Sequence, residues 1–402
     1  MTASGGLVVV GASAAGLAAA EGLRRGGYDS SITLVGGEPH LPYDRPPLSK
    51  QLLSSVWERE RLQLRAPETY AELGIELRLG VRAKALDMAA RRVRLADGEE
   101  LAYTELVVGT GARARMLPGV EQLAGVHTLR TVEDALALRS ALATRPHLVI
   151  VGGGFVGAEA AAVARGLGCE VTLVTDQHVP LADAVGTEVG SMLAEVHRER
   201  GVRMVTGSFV EEVIAKDGAA VGVRLADGRI LDAQAVLVGI GAHPETGWLT
   251  GSGLSLHNGV DCDSMLRAGD GVWAAGDVAS WPDPASGERL RIEHRTNATE
   301  QGMAVARNIL AGPSATTFRT VPYVWSDQYD LKVQIYGRTR GADAVHLVHG
   351  SLKQRSFTVL YVRDGHVTAA LGVGMIRPLR ALRPLVAARA PWDQVRTSLP
   401  AA

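Results

Sequence analysis

The chain has 402 residues, 46% of them hydrophobic and 21% charged, with a formal net charge of −1. That length allows two or three domains, and the balanced charge gives no case for nucleic acid or an anionic membrane as a partner. No apolar run approaches the ~18 residues of a membrane span. The first residues also lack the basic segment and cleavage site of a secretory leader, so a cytoplasmic location is expected.

Leu7 to Val10 reads as a buried strand, and GASAAG (Gly11 to Gly16) follows it. An alanine-rich helix and the strand SITLV, Ser31 to Val35, come next. GGEPHLPYDRPPLSK, Gly36 to Lys50, is a loop broken by prolines. ELVVGTGARARML, Glu105 to Leu117, is a strand that ends in a turn at Thr110 and Gly111. At Leu148 the opening pattern restarts as LVIVGGGFVGAEAAAVARGLGCEVTLV, which runs to Val174. A later strand lies in AQAVLVGIGAHP, and another in GVWAAGDVASW ends at Gly276 and Asp277, where a carboxylate can accept from sugar or ribityl hydroxyls. HLVHG holds His346 and His349, the closest approach to metal-ligand spacing; they read as surface histidines of a strand–turn segment, and no metal site is expected. IRPLRALRPLVAAR carries Arg377, Arg380, Arg383 and Arg389, either a surface that steers an acidic partner or a solvated helix face. Cys169 and Cys262 form no C-x-x-C pair, so no disulfide framework is expected.

Gly152, Gly154 and Gly157 each stand 141 residues beyond Gly11, Ser13 and Gly16. Strand, glycine turn, helix and strand make a βαβ unit, whose crossover implies parallel strands. The first glycine permits the turn, the second lets the backbone approach a pyrophosphate, and the third lets helix and strand pack closely. The phosphate sits at the helix N-terminus, where free N–H groups and the dipole favour an anion. One match is weak; two in full βαβ context predict two nucleotide sites. Ser13 replaces the middle glycine of the first. Its Cβ narrows the gap to a phosphate, while its hydroxyl can donate to a phosphate oxygen.

Two such units in one chain suggest FAD in one and a nicotinamide donor in the other. YDRPPLSK, LVVGTGARAR, VGGGFVGAE, AAGDVA, RIEHRTNATEQG and VWSDQYDLKVQ, in this order, resemble the FAD-dependent ferredoxin reductases of the glutathione-reductase structural class. The resemblance covers the chain from Leu7 to about residue 375. It implies an α/β fold with two Rossmann-like domains and a C-terminal α+β domain. The FAD domain would span 1–113 and 236–315, the NAD(P)H domain 114–235, and the C-terminal interface domain 316–402.

By motif position the resemblance makes Lys50 and Glu159 the catalytic pair. The ammonium would stabilise anionic reduced flavin; the carboxylate would hold the lysine and contact the nicotinamide amide. FAD contacts would come from Gly11, Ser13, Ala14, Ala15, Gly16, Ala83, Thr110, Gly111, Gly276, Asp277, Glu293 and His294, and Gly241 would be a further cofactor contact. Glu38 would bind the adenosine ribose, without the second acid the family often places at the position of Gly37. Arg45 and Arg130 would face the pyrophosphate, and Pro46 with Pro47 would wall the flavin. Gly152, Gly154, Val156 and Gly157 would cradle the donor, with Phe155 as an aromatic gate over the flavin or a core residue. Thr175 stands where NAD-preferring members carry an acid, with Asp176 next and no arginine from 175 to 182. NADH is therefore favoured over NADPH. Arg295 replaces the usual tryptophan of EHWTNA and would add positive charge near the flavin. Trp325 would lie at the flavin edge where a protein docks, or serve as an interface core residue.

The expected reaction is hydride transfer from NADH to FAD, then single electrons to an iron–sulfur ferredoxin that serves a monooxygenase or dioxygenase. Direct reduction of a small molecule or quinone stays open, as does the choice between monomer and homodimer. A disulfide reductase needs a reactive cysteine on the early helix, and none precedes Cys169. A regulatory nucleotide-binding protein is the remaining alternative.

Overall fold

The computed structural model describes residues 5–398; the outermost ends of the first and last expected domains lie outside the described residues. The chain forms two compact units. The first gathers Met1–Asp44, Glu60–Arg113 and His243–Thr320, and the second Arg45–Arg59, Ala114–Ala242 and Val321–Ala402.

The core of the first unit is a sheet with strands in the order Arg267–Gly269, Val272–Ala274, Glu100–Val108, Gly6–Val10, Ile32–Gly36 and Ile75–Leu79. Gly6–Val10 runs parallel to both neighbours, Val10 standing opposite Val35 and Val108. All five of its residues are buried, as a central parallel strand covered on both faces requires. The helix Ala14–Arg25 packs against the helix Arg295–Ala311. Glycine allows that approach: a Cβ on Gly302 would stand 2.3 Å from the Ala15 carbonyl oxygen.

In the second unit, parallel strands run in the order Val202–Thr206, Glu170–Thr175, His147–Val151, Ala235–Val238 and Val126–His127. An antiparallel sheet follows late in the chain, ordered Tyr323–Gln328, Leu331–Gly337, His366–Val373, Ser356–Arg363 and Ala344–Ser351. One face of this sheet shares a core with the helix Thr187–Glu199, through Val189, Leu193, Val333, Phe357 and Leu371. The helix Ile376–Ala387 buries Leu379, Leu382 and Val386 and packs on the strand His366–Val373. Among the described residues no helix is long and apolar enough to cross a membrane.

Candidate functional site

The two glycine turns share one geometry. Gly11 has φ +126° and Gly152 φ +112°, a region open to glycine. A Cβ would also stand 2.0 Å from the Gly109 carbonyl oxygen at Gly11 and 2.3 Å from that of Gly239 at Gly152. Each turn is thus braced by a neighbouring strand that itself ends in a V-G-x-G turn, Val108 to Gly111 and Val238 to Gly241. The middle position differs in kind. Ser13 (φ −144°, ψ −159°) and Gly154 (φ −85°, ψ −178°) are both extended N-caps. No left-handed backbone is required there, so serine is accommodated without strain.

Neither Ser13 nor Gly154 caps its helix through a side chain, and neither helix has an acidic residue in its first turn. A Cβ on Gly154 would enter open space. The helix Val132–Leu142 provides the contrast: Thr131 and Asp134 close a full capping box on it. The two glycine-turn helices therefore present amide donors that the chain itself leaves to an anion.

Other buried polar atoms in the first unit are also unspent. His294 Nδ1, Asn297 Oδ1 and Gln301 Nε2 make no hydrogen bond among the described residues. Gln301 Oε1 accepts from the Gly276 amide at 2.7 Å, which fixes the turn that presents Asp277. Burial pushes the His294 imidazole down to about 4, against a smaller opposing effect of Asp277, so it is neutral near pH 7. Those three atoms, two able to donate and one an acceptor, have no partner among the described residues and fit a ligand as rich in donors and acceptors as FAD.

The other expected contacts of the first unit are placed as follows. Ala14 and Ala15 are buried at the start of their helix, and Ala83 begins the strand Ala83–Asp87. Glu38 accepts from the Tyr43 hydroxyl at 2.6 Å. Thr110 Oγ1 donates to the Glu245 carbonyl at 2.7 Å, and Gly111 has φ +71°. Glu293 pairs with Arg291 at 2.6 Å. Arg295 forms an ion pair with Asp44 and donates to Thr299. Asp44 thus balances the positive charge that this substitution was expected to add.

In the second unit, the 3₁₀ turn Pro46–Ser49 and the helix Phe155–Gly166 bring the expected pair together. Lys50 Nζ donates to Glu159 Oε2 at 2.8 Å, with the side chains 10% and 5% exposed. Ser49 Oγ donates to the same oxygen, and Ser326 Oγ donates to Glu159 Oε1 at 2.7 Å. A buried ion pair holds only if the remaining lone pairs are satisfied, and both carboxylate oxygens have donors here. The sequence reading missed Ser49 and Ser326. Their signals were present: Ser49 adjoins Lys50, and Ser326 with Gln328 is polar at a two-residue spacing on the buried face of a strand.

Arg45 Nη1 donates to the Arg130 carbonyl at 2.6 Å, so these two expected partners are neighbours. Phe155 is half-buried and packs against the core of the C-terminal sheet. Val156 is exposed, and Gly157 is buried in its helix. Gly241 has φ +97°. Thr175 is buried at its strand end, where its Oγ1 accepts from the Gln177 amide at 3.2 Å, and Asp176 is exposed. Trp325 stacks on Tyr323 at 5.9 Å, Tyr323 meets Tyr336 at 4.9 Å, and the Arg383 guanidinium lies 6.0 Å over Tyr336. An aromatic ladder thus joins Trp325 to the arginine-bearing helix. His346 stacks on Trp392, and His349 Nδ1 is 2.8 Å from Thr358 Oγ1, so both histidines are occupied locally.

Both cysteines are free and buried. Burial pushes the Cys262 thiol up to about 12 and raises that of Cys169. Neither is the thiolate that disulfide chemistry needs.

Two nucleotide-type turns, a buried lysine–glutamate pair and no reactive thiol define a pyridine-nucleotide flavoprotein without a redox disulfide. The chain matches the pyridine nucleotide-disulphide oxidoreductase family over residues 6–302, and a reductase C-terminal domain over 323–401. It belongs to that family. It is 38% identical to rhodocoxin reductase of Rhodococcus erythropolis over 387 residues, 96% of this chain and 90% of that protein. It is 37% identical to the ferredoxin–NAD(+) reductase component of the anthranilate 1,2-dioxygenase system of Burkholderia cepacia, covering 96% and 95%. Among solved structures it matches the covalent putidaredoxin reductase–putidaredoxin complex with a TM-score of 0.92 and 31% identity, covering all of both chains.

Proposed function

We propose that this chain is an NADH-dependent, FAD-containing reductase of an iron–sulfur ferredoxin that supplies an oxygenase. The observation that carries this reading is the buried Lys50–Glu159 pair, in a chain whose thiols are silent. FAD, when bound, would supply two-electron acceptance of a hydride and one-electron release, the hydride's proton passing to solvent.

The residues of this chain bind, orient and hold charge. The amides of the Ser13 turn receive the FAD pyrophosphate, Glu38 a ribose hydroxyl and Asp277 the ribityl side. Gly152 to Gly157 receive the pyrophosphate of the donor, and Arg45 with Arg130 adds positive charge for phosphate. The Lys50 ammonium supports negative charge on the reduced ring. The Glu159 carboxylate orients Lys50 and accepts from the nicotinamide carboxamide. Asp176, with no arginine beside it, suits a ribose 2′-hydroxyl better than a 2′-phosphate. Residues 1–113 and 236–315 act as the FAD domain, 114–235 as the NADH domain and 316–402 as the partner-facing domain, in the cytoplasm. Trp325 and the arginine helix serve the docking of ferredoxin.

The test is anaerobic stopped-flow mixing with NADH or NADPH, then with ferredoxins or a quinone. Flavin bleaching by NADH and faster reoxidation by a ferredoxin are expected. Higher kcat/KM with NADPH would overturn the donor choice, and faster turnover with the quinone would overturn the acceptor.

A further inference from the structure

Glu159 is the end of a longer buried chain of hydrogen bonds. Ser326 Oγ donates to its Oε1 at 2.7 Å, and Gln328 Nε2 donates to Ser326 Oγ at 3.2 Å. Gln328 Oε1 is 3.0 Å from His197 Nε2, and the Tyr329 hydroxyl is 3.1 Å from His197 Nδ1. Ser326, Gln328 and His197 are 0%, 1% and 2% exposed. The members come from the helix Thr187–Glu199 and from the strand Tyr323–Gln328 with its turn, both distant in sequence from Glu159.

The carboxylate sets the direction of every bond. A carboxylate only accepts, so Ser326 must spend its one proton on Glu159. Its lone pair then takes the Gln328 NH2, which leaves the amide oxygen facing His197. That oxygen only accepts, so His197 carries its proton on Nε2. Burial pushes the His197 imidazole below its ordinary value, which keeps it neutral with a single N–H. Nδ1 therefore accepts from Tyr329, whose hydroxyl burial pushes up to about 12 and keeps protonated. All four donors point toward Glu159. An amide in the middle does not hand on a proton, so the chain transmits dipole orientation rather than protons.

We propose that Ser326, Gln328 and His197 are positioning residues that orient the Glu159 carboxylate, and through it Lys50, for hydride transfer. This rests on the reductase reading above. Nothing in the geometry of Ser326, Gln328 or His197 calls for contact with either nucleotide.

The test uses the FAD-loaded protein. In 15N-histidine spectra, His197, assigned by loss of its signal in His197→Gln, is expected as one fixed Nε2–H tautomer. Ser326→Ala and Gln328→Met are expected to mix the tautomers. In anaerobic stopped flow, Ser326→Ala is expected to slow the limiting rate of flavin reduction about tenfold, the scale of a lost bond to a charged group, with little change in NADH Kd. Ser326→Thr is expected to restore both the rate and the tautomer. An unchanged tautomer and rate in Ser326→Ala and Gln328→Met would overturn the proposal while leaving the function intact. If the wild type is not bleached by NADH, the function fails, and the tautomer measurement still decides whether the chain is ordered by Glu159.

Discussion

At the scale of single residues, the two turns separate what glycine is needed for from where it is merely usual. Ser13→Gly removes one hydroxyl from an extended position and is expected to keep FAD bound, with a change in FAD Kd of less than about tenfold, since a single hydrogen bond contributes about 1 kcal/mol. Gly11→Ala drives a Cβ into the Gly109 carbonyl and is expected to yield protein without flavin, read from the absorbance ratio of purified samples. The buried pair behaves oppositely to a surface bridge. Glu159→Leu strands the Lys50 ammonium and is expected to cost about 3–5 kcal/mol in urea unfolding. Adding Lys50→Met to it should recover part of that loss; a double variant as unstable as the sum of the singles would refute the coupling. His294 makes a pH-dependent contribution. Its folded value of about 4 lies below the ordinary 6.5, so between these the unfolded chain binds a proton that the folded chain does not. Stability is therefore lost as pH falls from about 6.5 to about 4, by up to about 3 kcal/mol. Urea midpoints at pH 7 and pH 5 should converge in His294→Asn relative to wild type.

At the scale of elements, the helix Ile376–Ala387 turns its leucines inward and leaves Arg377, Arg380 and Arg383 exposed, while Arg389 beyond it is half-buried. Reversing the three exposed charges to glutamate is expected to lower kcat/KM for an acidic ferredoxin about tenfold at low salt and to flatten its ionic-strength dependence. NADH reduction of the flavin is expected to stay the same; salt curves that remain parallel would leave these arginines as a solvated face. Much of this layer was legible beforehand. The glycine spacing, the alanine-rich helices and the β-branched strands carry their own periodicities, and the repeat at 141 residues made each half support the other. What the sequence could not display was partnership across distance. Asp44 balancing Arg295, Tyr43 serving Glu38 and Gln301 holding Gly276 each join side chains whose pairing depends on how loops return. Position 13 was ambiguous for a related reason: a residue type reports what is allowed, and only the φ of −144° reports what is required.

At the scale of the molecule, the unspent amides of the glycine turns and the unpartnered polar atoms of His294, Asn297 and Gln301 make the fold depend on its ligand. FAD at a hundredfold excess over its Kd is expected to add about 2.7 kcal/mol to stability, visible as a rise in Tm that disappears on removing the flavin. A melting curve indifferent to FAD would contradict the assignment of these groups.

The interleaving of the first unit along the chain has a consequence for how the protein is made. The Leu106–Val108 end of a central strand pairs with Val272–Ala274, and Leu106 waits for a partner 166 residues later. At about 5–20 residues per second that is roughly ten to thirty seconds of synthesis with an apolar strand edge unpaired. The segment Ala114–Ala242, which lies between them, is uninterrupted in sequence and has its strands to hand much sooner. A ribosome that stalls between residues 109 and 271 therefore holds a nascent chain with an adhesive edge. Expression yield is expected to depend on translation speed and holding chaperones in that window more than anywhere else along the message.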